Sequence, residues 1–404
     1  MTVARRARFY DQILGERVSR AGIVVISGPR QVGKSSLCGA LSPQRLDWNN
    51  LAERLAMLKG PEAVIQHLGL QRPRDRQQPL LIDNLDGHRD WKRFLRKLRA
   101  RCGGNRPLVV TMLDAPRTSL PTNSLAVRIH PWSVGECART LPSAEPINRP
   151  AAISDEDWAA LLDHGGFPEP FERRDPRFTR RWNTQRREEL LEDLPRFAFV
   201  RDPAIVQMLA LTLMSRSATH LIYSDLSREL GVTVDTIRRW MDLLERLQLG
   251  FRVRPWFARV PKALRKEPKW FLRDWSDLIE PGARARTFIA CHLLKAAEGW
   301  TDLGLGRFEL RYVRDKRQRE VDFLMLRDRR PWFLVAVSDS DNDTLEQALP
   351  YFQAHTRAQH AFQVVVNAPV VSSSPTTLPF TASDCFAQTE PAIVPARTLL
   401  SQLL

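Results

Sequence analysis

One run constrains this chain more than any other: Gly22-Ile23-Val24-Val25-Ile26-Ser27-Gly28-Pro29-Arg30-Gln31-Val32-Gly33-Lys34-Ser35-Ser36-Leu37. A short β-branched strand gives way at Gly28 to a tight loop, and a helix-compatible segment follows Gly33. The spacing G-x-x-x-x-G-K-S lets backbone N–H groups turn inward around phosphate oxygens. Lys34 then reaches toward the β and γ phosphates, Ser35 offers a hydroxyl to Mg²⁺, and the helix start adds partial positive charge. The expected nucleotide contacts are Gly28, Gln31, Val32, Gly33, Lys34, Ser35 and Ser36, with ATP and Mg²⁺ as the cofactors. An ordinary glycine-rich turn is the alternative reading of the same residues.

Such a loop needs a carboxylate from a neighbouring strand to complete the magnesium shell. Pro79-Leu80-Leu81-Ile82-Asp83 supplies an apolar strand ending in acid, so Ser35 and Asp83 are the expected metal contacts. The next residue is Asn84, whose amide orients water by hydrogen bonding but takes no proton, and Asp86 lies two residues on. A third apolar strand, Leu108 to Thr111, ends in a hydroxyl placed to sense the γ-phosphate, or merely to cap a turn. Trp91 to Leu98 between them has helical periodicity with a basic outer face. Strand and helix alternation of this kind predicts a parallel α/β sheet.

With 404 residues, the chain is long enough for several domains. Its 61 Lys and Arg exceed its 46 Asp and Glu by 15, which points to phosphate-bearing partners. No apolar run approaches the ~20 residues of a membrane span and the start has no signal-peptide core, so a cytoplasmic location without membrane contact is expected. Cys38, Cys102, Cys137, Cys291 and Cys385 are scattered and unpaired by spacing, against both a disulfide framework and a zinc site. The Ser, Thr and Pro stretch from Val370 to Thr381 reads as a loop.

In the middle of the chain, Tyr223 to Met241 reads as a short helix with Ser224 as its cap, a turn at Gly231, and a second helix. Leu226, Leu230, Val232, Ile237 and Trp240 form the expected apolar side. That leaves Thr236, Arg238 and Arg239 to meet nucleic acid, with double-stranded DNA the expected form. Phe251 to Val260 alternates basic and apolar residues as a wing hairpin does, adding Arg252 and Arg254 to the expected contacts. Residues 251–330 hold 20 basic and 11 acidic residues, and Arg311, Arg314, Lys316, Arg317 and Arg319 form a further basic cluster. The competing reading of this half is a packing module with a solvated basic face.

These residues resemble a known family. GPRQVGKSSL, the strand LLID before WKRFLRKL, Ser124-Leu125-Ala126-Val127-Arg128 before His130-Pro131-Trp132-Ser133, and the box Gly165-Gly166-Phe167-Pro168-Glu169-Pro170 look like predicted AAA-type ATPases of bacteria and archaea. Members carry a C-terminal domain of formally unknown function with a restriction-endonuclease-like fold. The resemblance implies an ATP-binding domain over 1–140, a helical lid over 141–210, a winged helix over 211–272 and a nuclease-like α/β domain over 273–404. Leu141 to Pro150 is the expected linker. It also implies Arg128 as a trans-acting arginine finger in a homo-oligomer. The chain departs from the family pattern at Asn84, where relatives have Glu, and at Val127, where they have Gly.

The C-terminal departures go further. Strands are expected at Arg311 to Val313, Glu320 to Leu326 and Phe333 to Val337, with a helix near Leu345 to Phe352 and a strand at Phe362 to Val366. Asp322 supplies one acid of a nuclease-like site and Glu320 shares its face. Where relatives read Glu-Val-Lys this chain reads Ala336-Val337-Ser338, and Arg286 stands where they have a further Glu. The expected function is an ATP-binding, nucleotide-dependent switch that engages nucleic acid or a protein partner, with slow or absent hydrolysis and no nuclease chemistry. The alternatives are a working AAA motor on DNA and, behind it, a Mg²⁺-dependent nuclease.

Overall fold

A computed structural model describes residues 6–42, 44–70, 78–102, 106–115, 120–139, 141–197, 203–257, 267–338, 344–367 and 384–404. The chain divides into two compact units, 1–131 with 140–142, and 132–139 with 143–404.

The first unit runs α1 (Phe9–Arg20), β1 (Ile23–Ser27), α2 (Lys34–Gly39), β2 (Arg45–Asp47), α3 (Leu51–Lys59), α4 (Pro61–His67), β3 (Leu80–Asp83), α5 (Trp91–Arg101), β4 (Leu108–Met112) and β5 (Ser124–Arg128). The strands form one sheet in the order β2-β3-β4-β1-β5, and every pairing is parallel. β1 and β4 are buried along their whole length, which is why they read as continuous apolar runs rather than alternating ones. Trp91, Phe94, Leu95 and Leu98 lie on one face of α5 at helical spacing and join Ile23, Val25, Leu80, Ile82 and Val110 in a common core.

The second unit begins with helices: α6 (Val134–Ala138), α7 (Asp155–His164), α8 (Pro168–Arg173), α9 (Pro176–Phe197) and α10 (Pro203–Met214). β6 (Thr219–His220), α11 (Tyr223–Leu230), α12 (Val234–Arg246), β7 (Gly250–Pro255) and β8 (Lys269–Leu272) follow. The chain ends with α13 (Pro281–Leu303), β9 (Phe308–Arg314), β10 (Glu320–Arg327), β11 (Arg330–Ser338), α14 (Ala348–Thr356), β12 (His360–Val365), β13 (Ala392–Pro395) and α15 (Ala396–Ser401). Its eight-stranded sheet has the order β13-β12-β11-β10-β9-β7-β8-β6.

Two sequence expectations change here. The sheet does not stop at residue 272: β7 pairs in parallel with β9, Arg254 beside Arg311, so the region expected as a winged helix and the region expected as nuclease-like share one sheet. The boundary between the two units falls within the expected linker, after Pro142, and further along it Asn148 donates through its backbone N–H and its amide to the Gln402 carbonyl and accepts from the Gln402 amide. Ser224 does not cap α11, which starts one residue earlier at Tyr223 with Ile222 in the cap position. A cap is instead found on α12, where the Thr233 hydroxyl accepts from the Thr236 N–H at 3.2 Å. The expected loop at 370–381 and the end of the expected wing at 258–260 lie outside the described residues.

Candidate nucleotide site

The carboxyl ends of β2, β3, β4 and β1 stand in one register: Asp47 beside Asp83, then Val110 and Thr111 against Ile82 and Ile26. Clefts at this end of a parallel sheet are where ligands bind in α/β folds. The loop 28–33 leaves β1 here. Gly28 has φ of 152°, and a Cβ would stand 2.3 Å from the Ile129 carbonyl oxygen, so only glycine fits. Gly33 has φ of 94° and forms the left-handed step into α2.

Lys34 turns its ammonium into this loop and donates to the carbonyls of Gly28 and Pro29, both at 2.7 Å. Burial lowers its pKa to about 8, with Asp86 and Asp83 partly offsetting that loss. An ammonium held by two neutral carbonyls and pressed toward its neutral form is short of negative charge. Arg8 fixes the loop from behind, donating to the carbonyls of Val32 at 3.1 Å and His130 at 2.7 Å.

Asp83 is fully buried and accepts from the Thr111 hydroxyl on one oxygen and from Arg45 at 2.8 Å on the other. Thr111 is therefore not directed at a γ-phosphate: its hydroxyl holds Asp83 and also accepts from the Asn84 N–H at 3.0 Å. Asn84 adopts φ of 58° and its amide donates to Asp47 at 3.0 Å. Asp86 accepts from the Leu113 N–H at 2.7 Å, and burial pushes its carboxyl above the usual range despite that bond. Ser35 is half-buried at the start of α2, Gln31 and Ser36 are exposed, and Val32 is buried. Arg128 lies on the edge strand β5, in register with Ser27 of β1.

Sequence reasoning brought Gly28, Gly33, Lys34, Ser35 and Asp83 to one end of one sheet. It missed Arg8, Arg45 and Asp47. The motif Arg45-Leu46-Asp47 before an apolar helix held a weak signal for the last two, since residues two apart in a strand share a face. Nothing local marks Arg8, which acts across the fold.

The expected nucleic-acid contacts separate. Arg238 pairs with Asp235 at 2.9 Å, Arg239 donates to the Thr236 hydroxyl at 3.3 Å, and Arg254 is exposed on β7. Arg252 departs from expectation. Its side chain is 6% exposed, and its guanidinium donates to Glu245, Asp242 and the Tyr223 hydroxyl, so it ties β7 to α12 and α11. The basic cluster is also largely compensated: Arg311 pairs with Glu309, Arg314 lies 3.6 Å from Glu320, and Arg319 pairs with Asp315.

Glu320 and Asp322 do share a face, and Lys269 of β8 fills the space between them. Its ammonium, 4% exposed, pairs with Glu320 and stands 3.1 Å from Asp322. Asp322 also accepts from the Val337 N–H at 3.0 Å and lies 3.6 Å from Arg286. Burial alone would raise the Glu320 carboxyl, but the His220 hydrogen bond and Lys269 hold it at about 2.

A family model described as a domain of unknown function, DUF8612, matches residues 155–278. Uncharacterized protein Rv2008c of Mycobacterium tuberculosis and uncharacterized protein Mb2031c of Mycobacterium bovis are each 28% identical to this chain over 274 residues. Each match covers 65% of this chain and 56% of the relative, so the chain spans little more than half the length of these curated relatives. Two solved structures are similar at 12% identity. One is a STAND signal-transduction ATPase with a tetratricopeptide repeat sensor from Pyrococcus horikoshii, with a TM-score of 0.23 over 75% of this chain and 48% of that one. The other is Drosophila ORC bound to GC-rich DNA and Cdc6, with a TM-score of 0.20 over 65% and 85%. At these TM-scores neither likeness bears on fold or function. Among the described residues, no helix is long and apolar enough to cross a membrane.

Proposed function

We propose that this chain binds a Mg²⁺–nucleoside triphosphate, ATP in the first instance, in an AAA-type domain and acts as a nucleotide-dependent switch. The observation that carries this reading is Lys34: a buried ammonium with two neutral acceptors, at the carboxyl end of a parallel sheet that also presents Asp83. The donor set fits the ligand. The loop 28–33 and Lys34 would hold the phosphates, and Ser35 with Asp83 would hold the metal. Bound Mg²⁺ would supply charge neutralisation to the phosphates.

The remaining residues explain why turnover is slow in this reading. Asn84 has no basic atom, and its amide is committed to Asp47. Thr111 keeps Asp83 aligned. Arg45 neutralises Asp83, and because Arg45 is 45% exposed its attraction is screened and an incoming cation can displace it. The helices 155–214 would serve as the lid and 219–272 as a winged-helix module, whose exposed Arg238, Arg239 and Arg254 would engage double-stranded DNA. A protein partner on this module is the alternative. Arg128 acting in a neighbour's site would convert the switch into a motor, the second reading.

The test is phosphate release by the purified chain with ATP and Mg²⁺, with and without double-stranded DNA, beside Lys34→Ala. Binding without release supports the switch. Release that disappears in Lys34→Ala supports the motor, and absence of binding removes both.

A further inference from the structure

Four residues of α9, Asn183, Arg186, Arg187 and Leu190, stand at i, i+3, i+4 and i+7 and so share one helix face. Between that face, the end of α10, the end of β8 and the loop after β8 lies a cavity of about 70 Å³, wholly within the second unit. Its apolar lining is Leu190, Met214, Leu249 and Leu272. The rest of the lining is charged, apart from Asn183: Arg186 and Arg187 from the helix, Asp274 and Asp277 from the loop.

The charged groups are fixed from several sides. The Asn183 amide donates to the Ser276 hydroxyl at 3.1 Å, and the Ser276 N–H donates to Asp274 at 3.0 Å. Arg186 lies over the Phe167 ring at 3.7 Å. Of the five N–H donors of a guanidinium it commits one among the described residues, to Asp274 at 3.0 Å. Burial lowers its pKa below the ordinary value, so its remaining donors sit on a desolvated cation and call for an acceptor. Arg187 pairs with Asp277, and at 38% and 47% exposure that pair is screened and exchangeable.

Size and charge together select a ligand. The cavity is about half the ~150 Å³ of an apolar cavity that admits benzene, which suits a branched alkyl group of about four carbons and excludes a ring. Two arginines and two aspartates cancel, so a ligand carrying both signs matches the lining, whereas a simple anion leaves a surplus charge. We propose that this cavity binds a free α-amino acid with a branched aliphatic side chain. The alkyl group enters among the four apolar residues, the carboxylate accepts from Arg186, and the ammonium donates to Asp277. The inference does not depend on nucleotide binding.

Calorimetric titration of the full chain with L-leucine, L-valine and L-phenylalanine, each to about 10 mM and without nucleotide, tests it. Leucine and valine bind saturably and raise Tm, and phenylalanine does neither. Leucinamide and N-acetyl-leucine, each lacking one charge, bind at least about tenfold more weakly than leucine. Leu190→Phe fills the cavity and abolishes leucine binding, and Met214→Phe repeats this arm should the first variant fail a circular-dichroism check of folding. Asp277→Asn weakens leucine to the level of N-acetyl-leucine and leaves N-acetyl-leucine itself unchanged, a convergence that misfolding would not produce. No binding of leucine or valine, phenylalanine binding as tight as leucine, or leucine binding that survives both substitutions would each overturn the proposal. Equal affinity for leucine, leucinamide and N-acetyl-leucine would also overturn it, and would assign the cavity to an aliphatic side chain of a peptide.

Discussion

Lys34 and Lys269 are both buried lysines beside strand-end carboxylates, and they are held in opposite ways. Lys34 donates to two neutral carbonyls of its own loop, and burial lowers its pKa to about 8. Lys269 sits between Glu320 and Asp322, and together with His220 it holds the Glu320 carboxyl at about 2. The first arrangement has an ammonium whose hydrogen bonds go to neutral carbonyls, with Asp86 and Asp83 acting on it only through space. The second has its charges matched from within. Under the proposed function the first region receives an anion, whereas in the second the two acids are already paired with Lys269.

The largest expected effect breaks that contrast at the second site. Lys269→Met removes the cation between two part-buried carboxylates, which keep only His220, Arg314 and Arg286 at the margins, and should cost up to about 3 kcal/mol in urea unfolding. Glu320→Gln with Asp322→Asn in the same chain should recover most of it. Lys34→Met, by the same argument, should leave stability unchanged or raise it, since the fold disfavours that charge.

Gly28→Ala is next. Its φ of 152° and the 2.3 Å approach to the Ile129 carbonyl predict a loss of about 1–3 kcal/mol, read as a lowered Tm. A smaller effect is expected at Asn84. Glutamate there would adopt a left-handed backbone conformation at a cost of about 1–2 kcal/mol and would face Asp47. Asp47→Asn should relieve the second part, giving a favourable coupling in a double-mutant cycle.

A separate effect is read in the pH profile. Glu320 titrates near 4.5 in the unfolded chain and near 2 in the fold, so its contribution is complete above about pH 4.5 and is lost as pH falls toward 2. His220, Lys269 and Arg314 face it, and Asp322 shares Lys269 with it. Glu320→Gln should flatten the stability curve there by up to one proton's worth of slope, about 1.4 kcal/mol per pH unit, in acid unfolding followed by circular dichroism.

The reach of sequence reasoning divides along the same line. The runs Ile23–Ser27, Leu80–Asp83 and Leu108–Met112 were legible because strands buried on both faces are continuously apolar, and the loop was legible because its glycines and lysine are spaced locally. The C-terminal strands and the α11 and α12 helices were legible from periodicity. Partners distant in sequence were not. Arg252 alternates with apolar residues as an exposed wing arginine would. Only the packing of α12 against β7 brings Glu245 and Asp242 to it. Thr111 ends a strand as a sensor would, yet the sheet order places β4 beside β3 and gives its hydroxyl to Asp83. Lys269 and Asp322 are 53 residues apart, and the sheet that joins β7 to β9 decides their pairing.

The most direct test of the central claim is calorimetric titration of Mg²⁺–ATP into the unaltered chain and into Lys34→Met, with the unfolding free energy of each measured alongside. The account predicts saturable binding in the first, none in the second, and equal or greater stability in the second. Equal ATP affinity in both chains, or a Lys34→Met chain as destabilised as Lys269→Met, would contradict it.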